Sequence, residues 1–175
     1  MSNVLIGIIG VILFIGLALA GALFLGPRFQ DATANSTASA SVAAATQIAH
    51  GLSLMQVTEG VDYDPSSTVD SQLVAKGYLK SQPTVAGSLA FISNDTVAPY
   101  TKGATVMNPR YSIVVFADGA KGERICRSVV AQTGGDGKAD LPTTSTPSGT
   151  IGCIRYSGDS GFGMFTGYMV WVRIR

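Results

Sequence analysis

The chain has 175 residues, a formal net charge of +1 and two cysteines. Its twelve basic and eleven acidic residues form no basic run and no acidic tail, which argues against nucleic acid as the main partner and against a charged disordered segment. Only 13% of residues are charged and 46% are hydrophobic, whereas about 25% are charged in an average globular chain. This bias predicts a protein that buries much of its surface in an assembly, in a membrane, or in both.

The N-terminal segment carries no charge from Val4 to Gly26. At about 23 residues it is long enough for a helix to cross the hydrocarbon core of a bilayer. Three interpretations are open: a secretory signal cleaved near Ala18-Leu19-Ala20, a plain membrane anchor, or a membrane helix that later enters a helical bundle. We predict two domains, an apolar transmembrane or filament-core helix over 1–27 and a globular domain over 28–175.

Small residues distinguish this segment from an anchor that only has to sit in lipid. Each glycine lowers helix stability, yet small side chains also let helices approach each other closely. The pattern therefore predicts helix–helix packing in the core of an assembly, through Gly7, Gly10, Gly16, Ala20 and Gly21. By the positive-inside rule, Arg28 would lie in the cytoplasm. One way to reconcile this with an exported globular domain is that a basic leader preceded Met1 and was removed.

Gly26-Pro27 predicts a helix break, because proline in a helix removes a hydrogen bond and clashes with the preceding turn. Beyond it, apolar residues recur at helical spacing, which predicts an amphipathic helix over about 29–57. Its stripe consists of Ala38, Val42, Ala45, Ala49 and Leu52, broadened by Ile48 and Met55, with Ser41, Thr46 and Gln47 largely off it. With a kink at the break, residues 3–57 form one helix of about 80 Å.

The rest of the chain predicts short elements. After a turn-rich stretch over 58–68, a short helix ends at Gly77 as its C′ residue. Strands are predicted at 89–92, 111–117, 151–156 and 165–174, and the last of these alternates between two faces. Residues 123–132 fit a strand or, preferably, a short helix stopped by Gly134-Gly135. Loops are predicted at 136–149 and 157–163. The fold class is α+β: a long N-terminal helix, with a protruding apolar half and a docked amphipathic half, packed on an antiparallel sheet.

The two cysteines, Cys126 and Cys153, have a spacing that fits no zinc pattern. An exported domain with two cysteines usually pairs them, so we predict a disulfide. Two buried thiols in a cytosolic protein are the alternative.

Enzyme chemistry finds little support in the sequence. The only histidine is His50, on the amphipathic helix, which argues against a catalytic triad or a histidine zinc site. Residues 157–161 (SGDSG) resemble the surroundings of some catalytic serines, but a turn is the simpler interpretation. We predict no catalytic residue, no metal and no cofactor.

The arrangement resembles a type IV pilin. The resemblance rests on the apolar helix running into an amphipathic one, on residues 73–83 (LVAKGYLKSQP), on the sheet, and on the cysteine pair closing the C-terminal region. Met1 as first residue and a cysteine on a short helix are most similar to the type IVb branch, which includes pilins of conjugative plasmids. The pilin-like roll and the functional expectations below follow from this resemblance.

The resemblance implies the major subunit of a type IV-like pilus, held in the inner membrane before it polymerises into a helical homopolymer on the cell surface. It also implies a prepilin peptidase, a pilus assembly machinery, and a processed, usually methylated Met1. A glutamate common at the fifth position of the family's mature helix is Leu5 here. A minor pilin or secretion-system pseudopilin, and a monomeric membrane-anchored periplasmic binding domain, are the alternatives. The role of the filament stays open among adhesion, motility, DNA uptake, phage attachment and conjugation.

Overall fold

The computed structural model describes residues 2–60, 69–94, 110–134, 149–159 and 164–174. They form three helices and four strands: α1 (Ser2–Glu59), α2 (Val69–Ala75), β1 (Ser88–Asn94), β2 (Tyr111–Ala117), α3 (Ala120–Thr133), β3 (Ile151–Asp159) and β4 (Met164–Arg173). The chain divides into two compact units, Met1–Thr33 and Ala34–Arg175. The α+β class, with a long N-terminal helix and an antiparallel sheet, is confirmed. The predicted turn-rich stretch and the loop over 136–149 lie almost entirely outside the described residues.

Within the second unit, α1 buries the small-residue stripe that the sequence predicts. Ala38, Ala45 and Leu52 are fully buried, Ile48 and Met55 lie beside them, and Val42 is half-buried. Alanine combines high helix propensity with a short side chain, so the helix axis can lie close to the elements beneath it. The placement of Ser41 off this face is wrong, because Ser41 is fully buried. Its hydroxyl donates a 2.6 Å hydrogen bond to the Thr37 carbonyl, which removes the cost of burying it.

Helix α2 ends at Ala75, and Gly77 is its C′ residue, as predicted. The Gly77 amide donates to the Val74 carbonyl, and the Tyr78 amide donates to the Leu73 carbonyl at 2.8 Å. These two bonds make a Schellman motif with Gly77 as its C′ residue in the left-handed region, at φ 81°. The motif turns the chain back so that Tyr78 and Leu79 pack against the core.

The sheet has the strand order β1-β2-β4-β3, and every neighbouring pair is antiparallel. Val114 of β2 lies opposite Val170 of β4, which in turn lies opposite Cys153 of β3. β2 matches its predicted bounds. β3 continues to Asp159, so the loop predicted from residue 157 begins too early. Ser157 instead pairs with Thr166 across the strands, and their hydroxyls lie 3.1 Å apart.

Residues 120–133 form the helix α3, which settles the choice between helix and strand for this segment. Its C-cap, Gly134, adopts φ 65°, and the Gly134 amide bonds the Val130 carbonyl, so the predicted stop is confirmed. α3 packs on β3 and β4. Its buried side chains, Ile125, Cys126 and Val129, join the cluster that the helices form over the sheet.

Both faces of the sheet are buried. One face carries Val114, Phe116 and Val170, which pack with residues of α1, α2 and α3. The other carries a second cluster to which all four strands and none of the described helices contribute: Tyr111, Ile113, Val115, Ile154, Tyr156, Met169 and Trp171, with Ile92 at its margin. The alternation predicted for the last strand is confirmed, because Val170 and Val172 lie in the first cluster and Trp171 in the second.

Candidate assembly surface

The first unit exposes almost every large apolar side chain that is described in it. The exposed fractions run from 49% at Ile9 to 76% at Leu23. The first charged residue of the chain is Arg28, so no charged group accompanies these side chains. Eleven residues form this surface, here called the apolar segment: Ile6, Ile8, Ile9, Val11, Ile12, Leu13, Phe14, Ile15, Leu17, Leu19 and Leu23. By length and composition, α1 is able to span a membrane.

Among the residues that the structure describes, the glycines of this unit have no packing neighbour. A Cβ atom added to Gly7, Gly10, Gly16 or Gly21 would meet no atom within 4 Å. Gly152 behaves differently, because its added Cβ would lie 2.6 Å from an atom of the Trp171 ring. Internal packing therefore explains the glycine of the sheet and leaves the glycines of the N-terminal helix unexplained.

These small residues lie on two sides of the helix. At 100° per residue, Gly7, Gly10 and Gly21 fall within an arc of about 60°. Gly16 and Ala20 fall on a different side of the helix, with a mean direction about 130° away. A helix with small residues on two different sides can accept a close neighbour on each, as a helix in the interior of a bundle does.

Gly26 and Pro27 do not interrupt α1, since the helical conformation continues through both. An interior proline removes one backbone hydrogen bond, while the turns before and after it keep theirs. Met1 lies outside the described residues, and so does the side chain of Leu5. Their predicted roles stay predictions.

Cys126 and Cys153 are joined by a disulfide, with Cα atoms 5.3 Å apart. Cys126 lies on α3, Cys153 lies on β3, and both are buried. The link fastens α3 to the edge strand of the sheet. The sequence predicts this pair from its cysteine count, and the fold brings the two residues together over 27 positions of sequence.

Polar contacts between α1 and α3 were not predicted from the sequence. Ser128 donates a short hydrogen bond to the Asn35 side chain. Ser39 donates to the Gln132 side chain at 2.9 Å, and Gln132 donates to the Asn35 carbonyl. Their partners lie more than 90 positions apart in the sequence, and no local pattern marks them.

Glu59 anchors the C-terminal end of α1. Its carboxylate accepts hydrogen bonds from the Lys76 ammonium and the Tyr78 hydroxyl, both at 2.7 Å. The bond from Lys76, followed by that from Tyr78, lowers the pKa of Glu59 below its usual value. An acidic residue is unfavourable at a helix C-terminus, where the helix dipole is negative, and these two donors offset that effect.

A second ion pair joins two surface elements of the sheet region. The Arg155 guanidinium donates to both carboxylate oxygens of Asp118, at 2.9 and 3.2 Å. This contact is the main cause that lowers the pKa of Asp118. The side chains of both ion pairs are partly exposed at the surface.

The described residues offer few groups for metal binding or nucleophilic catalysis. Within the described ranges, no three His, Cys, Asp or Glu side chains gather in a way that could hold a metal ion. His50 lies exposed on α1. Ser157 is part of β3 and its hydroxyl bonds that of Thr166, whereas the chain's single histidine lies on α1.

Comparisons with known proteins found no relative of this chain. No protein-family model, curated protein or solved structure matches this chain.

Proposed function

We propose that this chain is the major structural subunit of a type IV-like pilus. In this proposal the protein waits in the inner membrane with the apolar segment in lipid, and it then polymerises through its N-terminal helix into a surface filament. The pilin-like roll belongs to the same proposal. One observation supports it most directly. The apolar segment is exposed, and its glycines have no neighbour among the described residues. It is part of α1, the same helix that packs on a disulfide-linked α+β domain.

The apolar segment needs a cover. Burying one aliphatic or aromatic side chain contributes about 1.5–3 kcal/mol, so leaving eleven of them in water costs on the order of 20 kcal/mol. Lipid covers them before assembly. Neighbouring helices of the same kind would cover them in a filament core, where no lipid is present.

Lipid alone does not account for the glycines. Each glycine costs roughly 1 kcal/mol of helix stability relative to alanine, and a membrane anchor gains nothing in return. Close helix packing offsets this cost, because helix backbones that approach each other at glycine gain van der Waals contact. Small residues on two different sides of the helix fit a subunit with a close neighbour on each, and they fit a solitary anchor poorly.

The proposal is tested by shearing surface fibres from cells that produce the chain and identifying their components on a denaturing gel and by intact mass. We expect this chain to dominate the sheared fraction, with a methylated Met1 and a mass two hydrogens below that of the reduced form. Trace amounts would instead indicate a minor pilin or pseudopilin. Complete retention in the membrane, with no fibre containing the chain, would support the monomeric anchored domain and overturn the proposal.

A matched pair of variants tests the role of the glycines. Gly10→Leu places a large side chain where the wild type has none, and Leu17→Ile exchanges one large apolar residue for another on the same helix. Both variants should enter the membrane. Only Gly10→Leu should lose fibres, because only it blocks close approach of a neighbouring helix. Equal fibre yields from the two variants would remove the argument from the glycines.

A further inference from the structure

One end of the sheet carries a cavity that the proposed function does not use. The cavity measures about 470 Å³. Among the described residues, its lining consists of Gly149, Thr150, Arg173 and Ile174. Sites that bind small molecules commonly measure about 300–1,000 Å³, so this volume is large enough for a small organic ligand.

Backbone hydrogen bonds hold the walls of the cavity together. The Arg173 amide donates to the Thr150 carbonyl at 2.8 Å, and the Ile174 amide donates to the Arg110 carbonyl at 2.7 Å. These bonds continue the pairing of β4 with β3 and with β2 by one residue on each side. Thr150 and Arg173 therefore lie directly opposite each other, and the side chains of such a pair lie on the same face with Cβ atoms about 5 Å apart.

The wall at Gly149 lies against the aromatic side chains of the sheet. A Cβ atom added to Gly149 would lie 3.9 Å from the Cη2 atom of Trp171. Trp171 is buried, and its ring packs edge to face on that of Tyr111, with centroids 5.6 Å apart. The cavity is therefore formed against the second cluster of the core.

The arginine in this lining has an exposed side chain without a partner. Elsewhere in the second unit, Arg155 donates to both carboxylate oxygens of Asp118, and Arg127 pairs with Glu123. Within the described part of the chain, no such group bonds the guanidinium of Arg173, and none bonds that of Arg110. Both guanidinium groups thus keep all of their donors available for a ligand.

The charges that flank the described strands are divided between the two ends of the sheet. Arg110 precedes β2 and Arg173 ends β4, and the antiparallel register brings both to the end with the cavity. Asp118 follows β2 and Asp159 ends β3, so these two lie at the other end. Strand β2 separates the ends by about 20 Å, which is more than two Debye lengths at physiological ionic strength. These carboxylates therefore do not neutralise the two arginines.

We propose that this cavity binds a phosphomonoester, that is, a phosphate group carried by a small organic molecule. The planar fork of N–H donors on Arg173 matches the oxygens of a phosphate, and the Thr150 hydroxyl, on the same face, offers a further donor. Arg110 lies opposite Ile174 and brings a second positive charge to the border of the cavity. Two positive charges complement a phosphomonoester, which carries about −1.5 to −2 at pH 7, better than a carboxylate with a single charge.

The test uses the full chain, labelled with ¹⁵N and held in a mild non-ionic detergent. NMR spectra follow the backbone amides during addition of glucose 6-phosphate, with glucose as the neutral control and glucuronate as the carboxylate control. We expect saturable shifts of the amides at 149–151 and 173–174 with glucose 6-phosphate and none with glucose. Glucuronate should bind about fivefold more weakly, because it carries less charge. Equal affinity for glucuronate, or shifts spread over the whole surface of the domain, would overturn the proposal.

A matched pair of variants assigns the binding to the cavity. Arg173→Gln and Arg127→Gln make the same exchange at exposed arginines, one in the lining of the cavity and one on α3. We expect Arg173→Gln to bind glucose 6-phosphate about tenfold more weakly, because a charge-assisted pair is lost, and Arg127→Gln to bind as the wild type does. Amide shifts that match the wild type elsewhere in the domain show that both variants fold. Wild-type binding by a folded Arg173→Gln variant would overturn the site.

A further measurement distinguishes a soluble phosphomonoester from a lipid head group. The chain is placed in nanodiscs of phosphatidylcholine, with or without phosphatidic acid, whose head group is a phosphomonoester. Shifts of the same amides with phosphatidic acid would support the site and name a lipid as the source, and shifts with glucose 6-phosphate alone would support it and name a soluble ligand. Shifts with neither would overturn it. All the residues concerned lie in one copy of the folded unit, so the result is independent of whether the chain forms a fibre.

Discussion

Breaking the disulfide between Cys126 and Cys153 should lower the free energy of unfolding of the domain by an amount set by the length of the loop that it closes. The bond closes a loop over 27 positions, and chain-entropy theory assigns such a loop about 12 cal/mol/K, or about 3.5 kcal/mol at 25 °C. The stability of an ordinary domain is about 5–15 kcal/mol. Reduction should thus remove a substantial share of the free energy of unfolding.

The assay follows the only tryptophan of the chain. Trp171 lies in the sheet and is 3% exposed, so its fluorescence reports unfolding of the domain and not of the N-terminal helix. The full chain, held in a mild non-ionic detergent, is titrated with urea in its oxidised and reduced forms. With a slope of about 1–3 kcal/mol per molar urea, a loss of about 3.5 kcal/mol lowers the midpoint by about 1–3.5 M.

Reduction of the disulfide adds two hydrogen atoms and removes none, so the oxidised and reduced proteins have nearly the same side-chain volume. The variant Cys126→Ala/Cys153→Ala adds the loss of two buried sulfur atoms, and it should unfold at or below the midpoint of the reduced wild type. Equal midpoints for the oxidised and reduced forms, at equal slopes, would refute the reasoning that the link stabilises the domain by restricting the unfolded chain.

Three further outcomes follow from other contacts. Gly122→Ala should destabilise the domain by about 1–3 kcal/mol in the same titration, because its Cβ would lie 2.5 Å from a backbone carbonyl that a rotamer change cannot move. Gly152→Val should lower stability and shift the emission of Trp171, whose ring occupies the position of the new side chain. The lowered pKa of Glu59 means that its bond to Lys76 stabilises the fold above the unfolded carboxyl's pKa and is lost as the pH falls through the folded value. Glu59→Gln should therefore flatten the acid limb of a pH–stability curve, and an unchanged limb would contradict this assignment.

The sequence by itself determines the local features of this protein. Absence of charge over residues 4–26 is sufficient to mark an apolar helix, because a bilayer-length run of apolar residues has few other structural uses. The β-branched and aromatic run at 111–117 matches β2 residue for residue. Gly77 stops α2 and Gly134 stops α3 because each occupies a left-handed conformation that favours glycine. All of these depend on interactions within a few residues of the chain.

The tertiary structure alone decides the features that depend on distant partners. Four apolar strands can be ordered in many ways, and local patterns do not choose among them. In the fold the order is β1-β2-β4-β3, with one face of the sheet packed against α1 and α3. Residues 157–159 read as a loop from composition, yet pairing with β4 makes them a strand. The sequence places Ser41 largely off the apolar stripe, yet Ser41 is buried in the core, where its hydroxyl donates to the Thr37 carbonyl.

The same division holds for the assembly surface. The glycines of the N-terminal helix are visible in the sequence, but only the coordinates show that no described residue occupies the space beside them. The surface of α1 in the second unit depends on both sources. The sequence supplies the absence of charge between residues 32 and 58, and the fold decides which side of α1 faces outward, because burial depends on where the sheet and α3 pack against the helix.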